Sequence, residues 1–344
     1  MMDRAFSLSV VMPAFNAEAH IDDALASLFD QTRRDIEILV VDDGSRDSTA
    51  DRVLAWQGRA PADGPVVRLI RQDNAGPSAA RNRAIEEAHG PLIGFLDADD
   101  RWAADKVEKH LELMARHPGT LLSVSGFHFI DETGAPLYEI MLPPGDRLSY
   151  AKLLERNAIH TSAVIARKSA IDRAGRFDTG LRTYEDFDLW LRIARQGPDA
   201  IRTLREPLTA YRRHSVQATK DWRKMHGGWK TVIARHEACE PAVWRRVRAI
   251  AWGHQLEYCA SLAYNAGEIA EMRRLIRQCW KKGGLRMVGQ YYTLLMTVIC
   301  LATFLPRPVQ RMLGRGFVEL RKLNHALSTA FLNQKGRSGS SPAA

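Results

Sequence analysis

Two stretches of this 344-residue chain run as apolar strands directly into clusters of acid. Ile36 to Val41 ends in Asp42-Asp43-Gly44-Ser45, and Gly94-Phe95-Leu96 ends in Asp97-Ala98-Asp99-Asp100. The carboxyl edge of a parallel sheet is where open α/β folds bind their ligands. Acids in an Asp-x-Asp spacing at that edge are hard oxygen ligands converging from one strand end, suited to a divalent cation on a diphosphate. The pattern predicts an enzyme that handles an activated nucleotide.

The order of elements supports such a sheet. Leu8–Met12 is a β-branched, apolar strand, and Ile21, Ala24, Leu25, Leu28 and Phe29 recur on one helix face. Further strands are predicted over Ile36–Val41, Val66–Ile70 and Leu92–Leu96. Between and after them come a helix capped by Asp47 or Ser48 and running to about Trp56, one opened by Gly76-Pro77 and running to about Ala88, and one over Ala104–Arg116. Strands separated by helices make βαβ units, hence an α/β fold with a mostly parallel sheet flanked by helices. Beyond residue 118 the spacing predicts a hairpin from Leu121–Ile130 and Leu137–Met141, a strand at Ser162–Ala166, a helix at Glu185–Gln196 and extended chain over Ile201–Tyr211. These observations predict a catalytic domain over 1–219, a helical region over 220–332, and a Ser/Gly/Pro-rich tail over 333–344 expected to be disordered.

Charge divides at the same place. Residues 1–219 carry 28 Lys and Arg against 33 Asp and Glu, a net −5, whereas residues 220–344 carry 21 against 7, a net +14. That asymmetry suits a surface for an anionic partner, membrane lipid or nucleic acid, or else a well-solvated helical face. Arg286 and Arg307 bracket twenty uncharged residues, apolar from Tyr291 to Leu305 but diluted by Gly289, Gln290 and three threonines. An interfacial or re-entrant helix fits this run better than a full span; a buried helix covering the catalytic domain or a dimer partner is the alternative. The four cysteines form no Cys-x-x-Cys pair and the N-terminus reads as no secretory signal, so reduced thiols used in core packing are expected.

Four other motifs fall near the strand ends. Pro13-Ala14-Phe15-Asn16 follows the first strand, where an aromatic beside exposed backbone could hold a nucleobase or simply end the strand. Of Asp42 and Asp43, one can accept from a base N–H, although an Asx-turn uses such acids too. Arg81 sits about a turn inside a helix that starts at this edge and suits either phosphate or a neighbouring carboxylate. Tyr184-Glu185-Asp186-Phe187-Asp188 places acids at a helix start, where the helix dipole favours them in any case. Tyr211-Arg212-Arg213-His214 closes the region.

Taken in order, Ser9–Asn16, Asp42–Ser45, Asn74–Asn82, Asp97–Asp99, Glu185–Asp186 and Tyr211–His214 resemble the inverting glycosyltransferases of family 2, which have the GT-A fold. The resemblance covers roughly residues 6–215. It implies that Pro13, Phe15 and Asp43 contact the donor's nucleobase, that Asp97 lies near the ribose, and that Arg81 belongs to the donor pocket. It further implies that Asp99 coordinates Mn²⁺ or Mg²⁺, with His214 near the metal or diphosphate, and that Asp186 is the base; Glu185 beside it is then expected to be its helper or an acceptor contact. No Gln-x-x-Arg-Trp follows Tyr211, which favours single, non-processive additions.

The reaction expected is transfer of a sugar from a nucleoside-diphosphate-sugar donor to a saccharide or lipid-linked acceptor, in cell-surface polysaccharide or glycolipid synthesis. Nucleic acid is not an expected partner; the cytoplasmic face of the inner membrane and a second copy of the chain are. Two alternatives belong to other classes: a catalytically inactive nucleotide-sugar-binding module, and a nucleotidyltransferase. The latter usually needs a Gly-rich basic loop by the first strand, and residues 13–20 hold no Gly, Lys or Arg.

Overall fold

The computed structural model describes residues 5–59, 61, 63–214 and 221–305. In chain order the first elements are β1 (Leu8–Ala14), α1 (Ile21–Phe29), β2 (Ile36–Asp42), α2 (Thr49–Arg59), β3 (Val66–Arg71), α3 (Pro77–Glu87) and β4 (Leu92–Phe95). Next come β5 (Arg101–Trp102), α4 (Lys106–Arg116), β6 (Leu122–Ile130), β7 (Pro136–Met141), α5 (Tyr150–Glu155) and β8 (Val164–Arg167). Then follow α6 (Lys168–Ala174), α7 (Glu185–Ala194), β9 (Ile201–Arg212), α8 (Trp222–Cys239), α9 (Pro241–Asn265), α10 (Ile269–Gly283) and α11 (Tyr291–Ala302).

The strands form one sheet in the order β3–β2–β1–β4–β8–β6–β9–β5, with β7 paired to β6. Its first four strands are parallel, as helical crossovers require. Further on the sheet is mixed: β8 runs antiparallel to both β4 and β6, and β9 pairs with β6 in parallel. The expectation of a mostly parallel sheet therefore holds for β3–β2–β1–β4; beyond β4 the β4–β8, β8–β6, β6–β7 and β9–β5 pairs are antiparallel. The strand expected from Ser162 starts at Val164, because Thr161–Ala163 make a 3₁₀ turn instead.

Each face of the sheet buries a core. On one side Ile21, Ala24, Leu25 and Leu28 of α1 pack against β1 and β2, the face that the periodicity predicts. On the other, Trp190 of α7 meets Phe95 and Phe177 edge to face. This second core continues without a break into Met225, Trp229 and Val232 of α8 and Trp244, Val247 and Ala251 of α9. A third cluster joins α9, α10 and α11 and includes Cys259, Cys279 and Cys300. Cys239 departs from the core-packing expectation: it ends α8 and is exposed.

Among the described residues no helix is long and apolar enough to cross a membrane. α11 buries Leu295, Met296 and Cys300, while Leu294, Val298 and Leu301 remain exposed on the opposite side, followed by exposed Phe304 and Leu305. It is thus neither fully covered nor fully free. Arg307, the basic residues after it and the tail expected to be disordered lie outside the described residues.

Candidate active site

All nine residues singled out from the sequence, Pro13, Phe15, Asp43, Arg81, Asp97, Asp99, Glu185, Asp186 and His214, border one cavity of about 2500 Å³ at the carboxyl edge of the sheet.

The loops after β1 and β2 are stitched together. Asn16 takes a left-handed conformation, donates its N–H to the Ser45 hydroxyl and accepts from the Arg46 N–H. Asp42 accepts from the Ser45 N–H, the Asx-turn role, so the cavity is left to Asp43. Asp43 in turn accepts from Gln72 Nε2 and from the N–H groups of Ala75 and Gly76, fixing the turn that opens α3. Gly44 turns at φ +79°, and a Cβ there would lie 3.1 Å from the Asn74 nitrogen, so the turn and the close approach both need glycine.

Arg81 is 5% exposed and its fork is already engaged, with Nη2 on Asp97 at 2.8 Å and Nη1 on Glu185 at 3.2 Å. The carboxylate partner, one of the two readings its position allowed, is the contact formed. Burial works against both charges, yet the pair outweighs it: Arg81 is raised and Asp97 lowered from their ordinary values. Glu185 is raised, by burial first and then by Asp186, against the pull of Arg81. Asp186 accepts from the Thr161 hydroxyl at 2.8 Å. Tyr184, immediately before these acids, is left-handed at φ +62°, and its hydroxyl donates to Gln255 of α9.

The Asp97–Asp100 turn hangs on a residue that motif reading grouped but did not single out. Arg212, 1% exposed, donates its backbone N–H to Asp100, Nε to the Asp99 carbonyl, Nη1 to the carbonyls of Asp131 and Glu132, and Nη2 to Asp23. His160 and Ser162 hold the other oxygen of Asp100. A long cation at the end of a strand whose neighbour Ala210 points inward is a signal that period-two alternation could have flagged. Asp99 itself faces the cavity and pairs with His214 at 2.8 Å. Burial first, then Asp100 and Asp97, push it up to about 6.

The wall opposite the sheet comes from α9, and no sequence motif announced it. His254, Glu257, Tyr258 and Ser261 line the cavity from one side of that helix.

A model of glycosyl transferase family 2 matches residues 9–173. Over 225 residues the chain is 30% identical to the putative teichuronic acid biosynthesis glycosyltransferase TuaG of Bacillus subtilis, covering 64% of this chain and 85% of that protein. This chain belongs to glycosyltransferase family 2. It is also 30% identical over 188 residues to WfgD of Escherichia coli, a UDP-Glc:α-D-GlcNAc-diphosphoundecaprenol β-1,3-glucosyltransferase, with 55% of this chain and 70% of that one covered. Among solved structures, S. aureus TarS 1–349 in complex with UDP-GlcNAc superposes with a TM-score of 0.54 at 16% identity, covering 90% of this chain and 92% of that one. The mannosyltransferase PcManGT of Pyrobaculum calidifontis, in complex with GDP-Man and Mn²⁺, gives 0.54 at 18% identity, covering 94% and 87%. The fold is GT-A-like, as the motif order implies.

Glu257 supplies a test of the cavity wall. Burial, only partly offset by Arg156, pushes its carboxyl from 4.5 up to about 7. The folded state thus holds this proton more tightly than the unfolded chain does. The stability it contributes is complete below pH 4.5 and is lost as pH rises through about 7. Thermal unfolding of the wild type should therefore lose more stability between pH 5 and pH 8 than Glu257→Gln does; equal slopes would contradict the buried placement.

Proposed function

We propose that this enzyme moves a sugar from a nucleoside-diphosphate donor to an acceptor hydroxyl with inversion, one addition per encounter, in the synthesis of a cell-surface polysaccharide or glycolipid. The convergence of Asp97, Asp99, Glu185 and Asp186 with the β1 and β2 loops on one cavity carries this reading. Pro13, Phe15 and Asp43 border the end suited to the base of the donor, and Asp97 would meet the ribose. Arg81, fixed by two carboxylates, acts by holding Asp97 and Glu185 in place.

Asp186 takes the acceptor's proton as the acceptor oxygen attacks the anomeric carbon. The bond from that carbon to the diphosphate breaks, and its electron pair leaves on the diphosphate. A single base on one side, without a covalent intermediate, gives an inverted product. The Thr161 hydrogen bond aims the Asp186 carboxylate.

A divalent cation fits Asp99 and His214. Their two side chains meet at the cavity, and the crowding of Asp97, Asp99 and Asp100 leaves negative charge there to be offset. Among the described residues no three His, Cys, Asp or Glu side chains converge as a full ligand set, so diphosphate oxygens would complete the shell. When bound, Mn²⁺ or Mg²⁺ supplies charge neutralisation for the departing diphosphate.

Location at the cytoplasmic membrane surface is supported by the exposed apolar side of α11 and the basic C-terminal region.

Three outcomes follow. With UDP- and GDP-sugars and Mn²⁺, Asp186→Asn should keep nucleotide affinity, read by thermal shift, while kcat falls about 10²-fold or more. Full turnover in that variant, or a product of retained configuration, would refute the assignment. Asp99→Ala, or excess chelator on the wild type, should abolish turnover; undiminished activity in either would remove the metal from the scheme. In flotation, the chain should bind phosphatidylglycerol vesicles and be released as salt rises. Leu294→Ser with Leu301→Ser should bind less, and failure of the wild type to float at low salt would reject the membrane surface.

A further inference from the structure

The inner side of α9 carries polar groups that the chain itself does not use. Glu257 is 7% exposed and makes no hydrogen bond or ion pair among the described residues. His254, one turn earlier, is 9% exposed and its Nδ1 is buried with no partner. Both border the catalytic cavity, with Tyr258 and Ser261 on the same helical stripe. A buried polar atom without a partner gives up its bond to water and gains nothing in return. The His254 imidazole, with the Glu257 carboxyl beside it opening on the same cavity, points to a ligand that supplies the missing bond.

The chemistry narrows the ligand. A carboxyl accepts and, when protonated, donates, and a neutral imidazole does one of each. Burial keeps both groups in or near those neutral forms, with Glu257 at about 7 and His254 at about 4. Arg156 borders the cavity and acts on both groups but offsets Glu257 only in part, so an anionic ligand would still meet a carboxyl. Adjacent ring hydroxyls, each both donor and acceptor, match a carboxyl and an imidazole spaced three residues apart on a helix. Tyr258 connects this wall to the reaction centre: its hydroxyl is pushed up to about 12 by burial, then by Cys259 and by the charge of Asp186. A sugar held on α9 would therefore share one cavity with the proposed base.

We propose that the face of α9 formed by His254, Glu257 and Tyr258 is the acceptor subsite, binding a neutral saccharide through adjacent hydroxyls. The proposal rests on the glycosyltransferase reading for the direction of transfer, but the binding itself can be measured without turnover.

The probes are the methyl α-glycosides of glucose, galactose, mannose and N-acetylglucosamine, added to the full chain with UDP and Mn²⁺ and followed by saturation-transfer NMR. At least one should receive saturation from the wild type. Glu257→Ala and His254→Ala should each weaken its binding about tenfold, the effect of losing one buried hydrogen bond. Glu257→Gln should keep most of it. Stabilisation by UDP should be the same in all variants, which reports that they fold and that the donor end is intact. A diazirine-bearing version of the bound glycoside gives a measurement on the wild type alone: it should cross-link within residues 254–261. Absence of saturation transfer from every glycoside, unchanged binding in both alanine variants, or cross-links only elsewhere would overturn the subsite. Glycoside binding on α9 without turnover of any nucleotide sugar would instead sink the proposed transfer, overturning the acceptor role and leaving only a saccharide site on α9.

Discussion

Arg81 joins parts of the chain that are far apart in sequence and must be close for any chemistry to occur. Its guanidinium lies buried between Asp97, at the end of β4, and Glu185, in the first turn of α7. Its Nε has no partner. Removing a cation from water is expensive, and a buried ion pair is a poor source of net stability. Geometry is what the contact secures: two carboxylates that would repel are held at fixed positions by a planar fork. Without it, Asp97, Glu185 and Asp186 would crowd one cavity with little beyond His160 to offset their charge.

The helical region is part of that arrangement. The core behind α7 continues into α8 and α9, so these helices share one core with that face of the sheet. Polar contacts add direction. Tyr184 is held left-handed at the entry to α7 while its hydroxyl reaches Gln255, and buried Asp188 on the same helix meets His236 of α8. Non-glycine residues with positive φ persist only where their surroundings impose them. The backbone that presents Asp186 is therefore set partly by α9, which also forms the cavity's far wall.

Residue order made the N-terminal half legible because strands with acid ends, alternating with amphipathic helices, carry their own periodicity. Ile21 to Leu28, Ile36–Val41 and the acids at 97–100 needed nothing beyond spacing. The resemblance of six ordered motifs then brought together residues that the cavity does gather. The inward position of Arg212 could be read from alternation, but not its partners: the hydrogen bonds it makes among the described residues reach Asp23, Asp99, Asp100, Asp131 and Glu132, and no local pattern encodes partners so distant. The α9 wall was equally silent: His254 and Glu257 sit in a long helix with little contrast between its faces. The antiparallel placement of β8 depends on the order in which strands add to a sheet, which hydrophobic pattern does not specify.

The distances along the chain between partners also govern when the site comes into being. His214 meets Asp99 across 115 positions, and Arg212 meets Asp23 across 189. Contacts this remote form late, since the entropy of closing the loops must be met first. During synthesis the strands bearing Asp43 and Asp97 emerge and can pair long before β9 and α9 exist. An incomplete chain would thus display its acids without the clamp, the histidine or the far wall, and catalytic competence would arrive only as the last of these docked.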